Sequence, residues 1–246
     1  MRLPLALFAL VSGCGFEHGE RASGDDLATV DAAESPPAVS GECRYPDPSL
    51  RLCLELDDGV LAPTLHDSSP SALSPMAAGL TQVMHAEADP AAKTAAATTV
   101  SIAETPQLDI SGPITIEMWI NPDHAGAATL VENHDQYAMM LGAYGHIGCA
   151  MAGRQVFTYS EGTVAPHEWA HVACTFDGKL VRAFIDGVST VCSVSDDDIS
   201  TDGDEGTKLV PKFEGGIDGI RVYAADLTNQ ICTHAGKTAC QLRCGP

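Results

Sequence analysis

The sequence predicts an all-β fold, a β-sandwich of short strands, from three observations: apolar residues recur at every second position, turn signals separate the runs, and helical periodicity is nearly absent. Leu50, Leu52, Leu54 and Leu56 alternate with Arg51, Cys53 and Glu55, and Ile114, Ile116, Met118 and Ile120 alternate with Thr115, Glu117 and Trp119. Successive side chains of a strand face opposite ways, so each run has one face to bury. Val172, Cys174 and Phe176 follow the same rule. The chain then passes Asp177-Gly178, Leu180 to Ile185, Asp186-Gly187 and on to Val194, which predicts a meander joined by tight Asp-Gly turns. Further short strands are expected at 80–86, 97–102, 128–132, 136–143, 146–151, 154–160, 207–211 and 216–223. One short helix is expected, Leu227 to His234, with Asp226 as its N-cap. Many short strands separated by turns build a sandwich.

Residues 1–13 read as a signal peptide: Met1 and Arg2 precede an apolar run from Leu3 to Val11, then Ser12, Gly13 and Cys14. The run is much shorter than the ~20 residues that cross a bilayer as a helix. Val11-Ser12-Gly13-Cys14 resembles the lipobox of bacterial lipoproteins, which implies cleavage before Cys14 and a lipid on its thiol. Gly15 rather than Asp follows, which by the same resemblance directs the chain to the outer membrane or cell surface. From residue 15 to 42 the chain is Gly, Ser, Asp, Glu, Ala and Pro with few large apolar residues, the composition of a disordered tether. Residues 43–246 are then expected to form one folded domain with a Cys-rich C-terminal tail.

The formal net charge is −20, and loss of residues 1–13 removes one Arg and no acid. A field of that sign repels nucleic acid and anionic headgroups and favours cations. Of nine cysteines, eight remain once Cys14 is lipidated: Cys43, Cys53, Cys149, Cys174, Cys192, Cys232, Cys240 and Cys244. An even set outside the cytoplasm reads as disulfides, and no CxxC pair suggests zinc. Cys43 with Cys53 is the expected pair, since the Pro46-Asp47-Pro48 turn brings them together.

Four motifs, in order, then carry a resemblance. Ile116-Glu117-Met118-Trp119-Ile120, Glu168-Trp169-Ala170-His171-Val172-Ala173, Thr175-Phe176-Asp177-Gly178 through Phe184-Ile185-Asp186-Gly187, and Gly215-Gly216-Ile217-Asp218-Gly219-Ile220-Arg221-Val222-Tyr223 resemble a laminin-G-type domain of the concanavalin A-like lectin/glucanase group. The resemblance spans Ile114 to Tyr223, with Leu52 to Asp67 as the opening strand and loop. It implies a jelly-roll of two antiparallel sheets. It also implies a structural calcium ion between Asp67 and Asp218, completed by backbone carbonyls. At the opening loop the family often has Asp-x-Ser-Gly, where this chain has Asp67-Ser68-Ser69-Pro70.

Asp198, Asp202 and Asp204 match the start of an EF-hand-like loop, but its twelfth position is Leu209, so a solvated acidic loop is the preferred reading. Glucanases of this group carry Glu-x-Asp-x-x-Glu on one strand. Glu117 is instead followed by Met118 and Trp119, and reads as a partnered or solvent-facing residue. No Gly-x-Ser-x-Gly turn offers a nucleophile. His167 and His171 flank Trp169 and would share a strand face, although a turn histidine and a half-buried strand histidine are the simpler reading. Trp119 and Trp169 are expected in the core. Tyr137, Tyr144 and Tyr159 are the candidates for a surface platform, and an aromatic content of 5% argues against a broad one.

The expected function is therefore a non-catalytic recognition or adhesion module, displayed on the envelope and binding carbohydrate or protein. Its partners would be the membrane, through lipid on Cys14, and that ligand; no nucleic acid and no organic cofactor are expected. An envelope glycan hydrolase with an unrecognised site is the alternative, and a structural subunit of an envelope assembly a third. Fold alone names no ligand.

Overall fold

A computed structural model of the chain describes residues 43, 47–57, 61–152, 156–195, 199 and 205–242. The expectations for residues 1–13, Cys14, the tether to residue 42, Asp198, Asp202, Asp204 and Cys244 fall outside them. In chain order the described residues form β1 (Leu50–Leu54), β2 (Met76–Ala78), β3 (Thr81–Ala86), β4 (Asp89–Thr94), β5 (Thr99–Ile102), β6 (Ile114–Pro122), β7 (Ala128–Asn133), β8 (Tyr137–Leu141), β9 (Ile147–Met151) and β10 (Val156–Tyr159). There follow β11 (Ala170–Phe176), β12 (Leu180–Ile185), β13 (Val188–Ser189), β14 (Cys192–Val194), β15 (Thr207–Leu209), β16 (Gly215–Tyr223), the helix α1 (Ile231–His234) and β17 (Gln241–Leu242).

These strands build two sheets. The larger runs β17-β13-β12-β11-β6-β16-β4-β3, with β1 paired to β16 and β14 to β12; the smaller runs β10-β9-β8-β7-β15-β5-β2. Pairing is antiparallel except for the two-residue β13–β17 contact. Between the sheets lies a single apolar core. It takes Ile114, Ile116, Met118 and Ile120 from β6, Val172, Cys174 and Phe176 from β11, and Ile147, Cys149 and Met151 from β9. The alternation seen in the sequence thus does face inward, as an antiparallel sandwich requires.

At the centre of the larger sheet the other face is covered too. All nine residues of β16 are buried, and Asn121 is the one residue of β6 that is not. The segment after β16 lies across this face: Ile231 packs on Ala173 and Phe184, and Thr228 Oγ1 hydrogen-bonds Thr175 Oγ1 at 2.7 Å. The expected helix shortens to α1, capped by Gln230 without a side-chain hydrogen bond. Asp226 instead holds a turn, its Oδ1 accepting from Thr228 N and Oγ1. The Asp186-Gly187 turn between β12 and β13 has φ values of 49° and 76°, the left-handed pair that a tight hairpin demands.

Cys43 joins Cys53 as expected, and Cys232 joins Cys240. Cys192 is disulfide-bonded as well. Cys149 of β9 joins Cys174 of β11 and so ties one sheet to the other through the core. Structural disulfides persist in oxidising compartments, which is where an exported protein works. Among the described residues no helix is long and apolar enough to cross a membrane. Replacing Cys149 and Cys174 together by alanine should lower stability by about 3 kcal/mol. Urea unfolding without reductant measures this, and an unchanged midpoint would mean that packing alone holds the sheets together.

Candidate functional site

The outer face of the smaller sheet carries a cleft. Along β10, Val156 and Thr158 face inward while Phe157 is half-buried and Tyr159 is 51% exposed. Tyr159 pairs with Gly148 of β9. A Cβ at position 148 would lie 2.9 Å from both Phe157 Cζ and Tyr159 Cε1, so glycine is what lets the two rings rest on the sheet. The rings meet edge to face, 4.4 Å between centroids. Tyr159 forms one wall of a cleft of about 470 Å³, with Thr129 and Glu132 of β7, Met140 of β8, Gly142 and Lys212 around it. That volume suits a small ligand. A flat ring beside an acid, a hydroxyl and an amine suits a sugar, which offers an apolar C–H face and a rim of hydroxyls.

Tyr137 does not join this platform. It is buried on the core side of β8, its hydroxyl donating to Leu108 O at 3.0 Å and accepting from Asn133 Nδ2 at 3.2 Å, and burial pushes the phenol pKa up. Its place in the strand's alternation, in step with Met139 and Leu141, is the signal that assigns it to the core. Tyr144 is 85% exposed in the turn between β8 and β9, beyond the residues that line the cleft.

Glu117, read from sequence as partnered or solvent-facing, is fully buried on the covered face of the larger sheet. Arg221 Nη1 and His234 Nδ1 lie 3.1 Å and 3.0 Å from Oε1, and His171 Nε2 lies 3.3 Å from Oε2. Burial alone would raise its pKa, but the contacts with His171 and His234 hold it down at about 2. Burial also lowers the Arg221 pKa, and burial with the Glu117 charge raises Tyr223 to about 12. This is an ion cluster sealed by α1, with no space for a substrate at the acid. His167 sits apart in the turn before β11, with φ at 66°, while His171 is completely buried within the strand.

A second buried group was not anticipated. His85 Nδ1 lies 2.9 Å from Asp218 Oδ2 and 3.5 Å from Asp89 Oδ2. Irregular pairing positions them. β3 skips a register step between Met84 and Ala86, and β16 does so between Asp218 and Arg221. Such bulges re-aim side chains, and neither is legible from periodicity. The Trp119 and Trp169 rings stand 4.8 Å and 4.3 Å from the imidazole. Trp169 itself lies on Gly216, where a Cβ would come within 2.7 Å of the ring. Burial raises the Asp218 pKa, against the hydrogen bond from His85.

Asp67 has other partners. Its Oδ1 accepts from Cys53 N and Ser69 N, and its Oδ2 from Ser69 Oγ and Leu73 N, all between 2.8 and 3.0 Å. A carboxylate with four donors already in place folds the opening loop onto β1 and has little left for an ion that seeks six to eight oxygens. The residues present therefore do not fit a calcium ion shared by Asp67 and Asp218.

A family model described as Laminin_G_3, concanavalin A-like lectin/glucanases superfamily, matches residues 94–231. No curated protein matches the chain in sequence. Among solved structures it is similar to domain 4 of AbnA, a GH43 extracellular arabinanase from Geobacillus stearothermophilus, in complex with arabinotriose, at 17% identity and a TM-score of 0.60 over 76% of this chain and 98% of that one. It is also similar to the binding domain of Paraclostridial Mosquitocidal Protein 1, at 15% identity and 0.62 over 76% of this chain and 52% of that one. A third similar structure is Trypanosoma rangeli sialidase, at 12% identity and 0.56 over 78% of this chain and 34% of that one. The chain thus spans about half of the toxin domain and a third of the sialidase, and at these identities the likeness establishes the fold.

The ion cluster is open to test through Glu117→Gln. This change leaves Arg221 buried without its counter-charge, and should cost about 3–5 kcal/mol. The pH dependence separates it from a packing defect. A carboxylate held at about 2 contributes stability that is complete above its ordinary value of 4.5 and is lost as pH falls toward 2, on the order of 3 kcal/mol in all. Unfolding followed from pH 6 to pH 2 (roughly the window set by that shift) should therefore show an acid-sensitive component in the wild type that the variant lacks.

Proposed function

The chain belongs to the Laminin_G_3 family of the concanavalin A-like lectin/glucanases superfamily, and from that premise we propose that its sandwich is a non-catalytic recognition module that binds carbohydrate in the cleft beside Tyr159. The observation that carries this reading is the half-exposed Tyr159 ring laid over Gly148 at the edge of that cleft. Among the described residues Glu132 is the one acid lining it, where both retaining and inverting glycosidases use a pair. Glu117, the strand acid that the family motif contains, is sealed in an ion cluster and is out of reach of a glycan. The similar arabinanase domain is in complex with arabinotriose, which supports an oligosaccharide as a ligand on this fold.

The module works outside the cytoplasm, and in the proposal it is held there by lipid on Cys14 and presented by the tether that follows. The support is the lipobox-like run in the sequence and the disulfides of the domain. Labelling cells with a fatty-acid analogue should mark the wild type and leave Cys14→Ser unmarked; equal labelling of both would remove the anchor from the reading.

A glycan array followed by calorimetry on the best hits tests the cleft. Tyr159→Ala should weaken binding by about 2 kcal/mol, roughly thirtyfold, with the fold intact by circular dichroism. Glycan turnover that Glu132→Ala abolishes would instead make the protein a hydrolase.

A further inference from the structure

The buried group on the larger sheet has a property that an ordinary ion pair lacks. Two carboxylates, Asp89 and Asp218, face one imidazole nitrogen, and all three residues are at least nine-tenths buried. Asp89 Oδ2 has no hydrogen-bond partner, although it points at His85 Nδ1 from 3.5 Å. His85 lies against both acids, and among the described residues neither acid pairs with a lysine or arginine. The group therefore sets two carboxylates against one imidazole in a site shielded from water, where a bound cation would complete it. The Glu117 cluster differs on this point, since Arg221 already neutralises it.

We propose that His85, Asp89 and Asp218 form a site for a single zinc ion. One imidazole nitrogen and two carboxylate oxygens are ligands that zinc takes, whereas calcium seeks a shell of oxygens alone. The spacing agrees. Ligand atoms ~2.0–2.1 Å from a tetrahedral zinc stand about 3.3 Å apart. Here two of the separations are 2.9 Å and 3.5 Å, and all three candidate atoms lie within 4.8 Å of one another. Support around the ligands is also present. Gly219 N donates to Asp218 Oδ1 at 2.8 Å and fixes that carboxylate, while Trp119 and Trp169 fix the plane of the imidazole and exclude water. The two bulges bring the hairpin β3–β4 and the centre of β16 to one point, so the ion would clasp an edge hairpin to the middle strand of the sheet. The protein's net charge of −20 favours a cation there. The site is independent of the sugar cleft, which lies on the other sheet.

Both tryptophans of the chain contact His85, so they report on the site directly. The full chain, stripped with EDTA and equilibrated with zinc alone, should retain one zinc per chain after gel filtration, by elemental analysis. Cobalt should quench the tryptophan fluorescence at the same stoichiometry, and calcium should do neither. Changing a residue that only hydrogen-bonds to a zinc ligand costs about 10–100-fold in affinity, so loss of a ligand itself in Asp89→Asn should weaken zinc by about 100-fold or more. The exposed-histidine control His124→Ala should change nothing. Should His85→Gln fail to fold, Asp89→Asn still carries the test, because the Asp89 Oδ2 oxygen makes no hydrogen bond among the described residues. Folded wild type that retains no zinc, zinc that survives Asp89→Asn, or equal retention of calcium would each overturn the proposal.

Discussion

The burial of β6 and β16 on both faces is the constraint on which the rest of the structure depends. A sandwich needs one covered face per sheet, and the second cover here must go over charged residues. Glu117, Arg221 and His171 lie on that face, and a charge taken out of water without partners costs several kcal/mol. The chain meets this by pairing the charges with one another and by bringing His234 down on top of them. The segment from Leu227 to Leu242 is therefore part of the fold, and the Cys232–Cys240 bridge pins it. Such a cluster is weak evidence of stability, because an apolar face of equal shape would do as well. What it adds is selectivity, since the closing segment must present a histidine at one point.

Much of the architecture was legible in the sequence because alternation is a direct consequence of strand geometry. The runs at 50–56 and 114–120 and the Asp-Gly meander became β1, β6 and β11 to β13. The pairing of Cys43 with Cys53 followed from a proline-rich turn between them. β4 went unread because Asp-Pro-Ala-Ala-Lys-Thr carries almost no apolar contrast; it is a strand because β16 and β3 flank it. The helix was read too long because the apolar residues from Leu227 onward pack on the sheet and do not need a helix to do so.

The sites were less legible, and for a physical reason. Periodicity assigns a face to a residue but does not say whether that face is covered. Tyr137 reads as a surface ring by residue type although it shares the inward phase of Met139 and Leu141, and strand position alone leaves Glu117 between partner and solvent. The grouping of His85, Asp89 and Asp218 depends on two bulges, and a bulge is a break in the very pattern being read. Asp218 stood out by motif, but the motif suggested Asp67 as its companion, and Asp67 is occupied in holding its own loop.

The two sheets consequently divide the chemistry. The outer face of the larger one is closed over ion clusters, and the outer face of the smaller one stays open at the cleft. There the small side chains matter as much as the ring. Ala127, Ala128, Gly142 and Ala143 line the cleft with little side-chain bulk, so Tyr159 and Met140 stand as its walls. A cleft made this way admits something thin and flat-faced. The protein's charge then narrows the choice: with 33 acidic against 13 basic residues, the surrounding field opposes an anionic glycan, and Lys212 alone at the rim cannot reverse it. A neutral saccharide incurs no such penalty and can still hydrogen-bond to Glu132 and Lys212. The recognition proposed for the cleft is for that reason a matter of ring stacking and hydroxyl contacts rather than of charge.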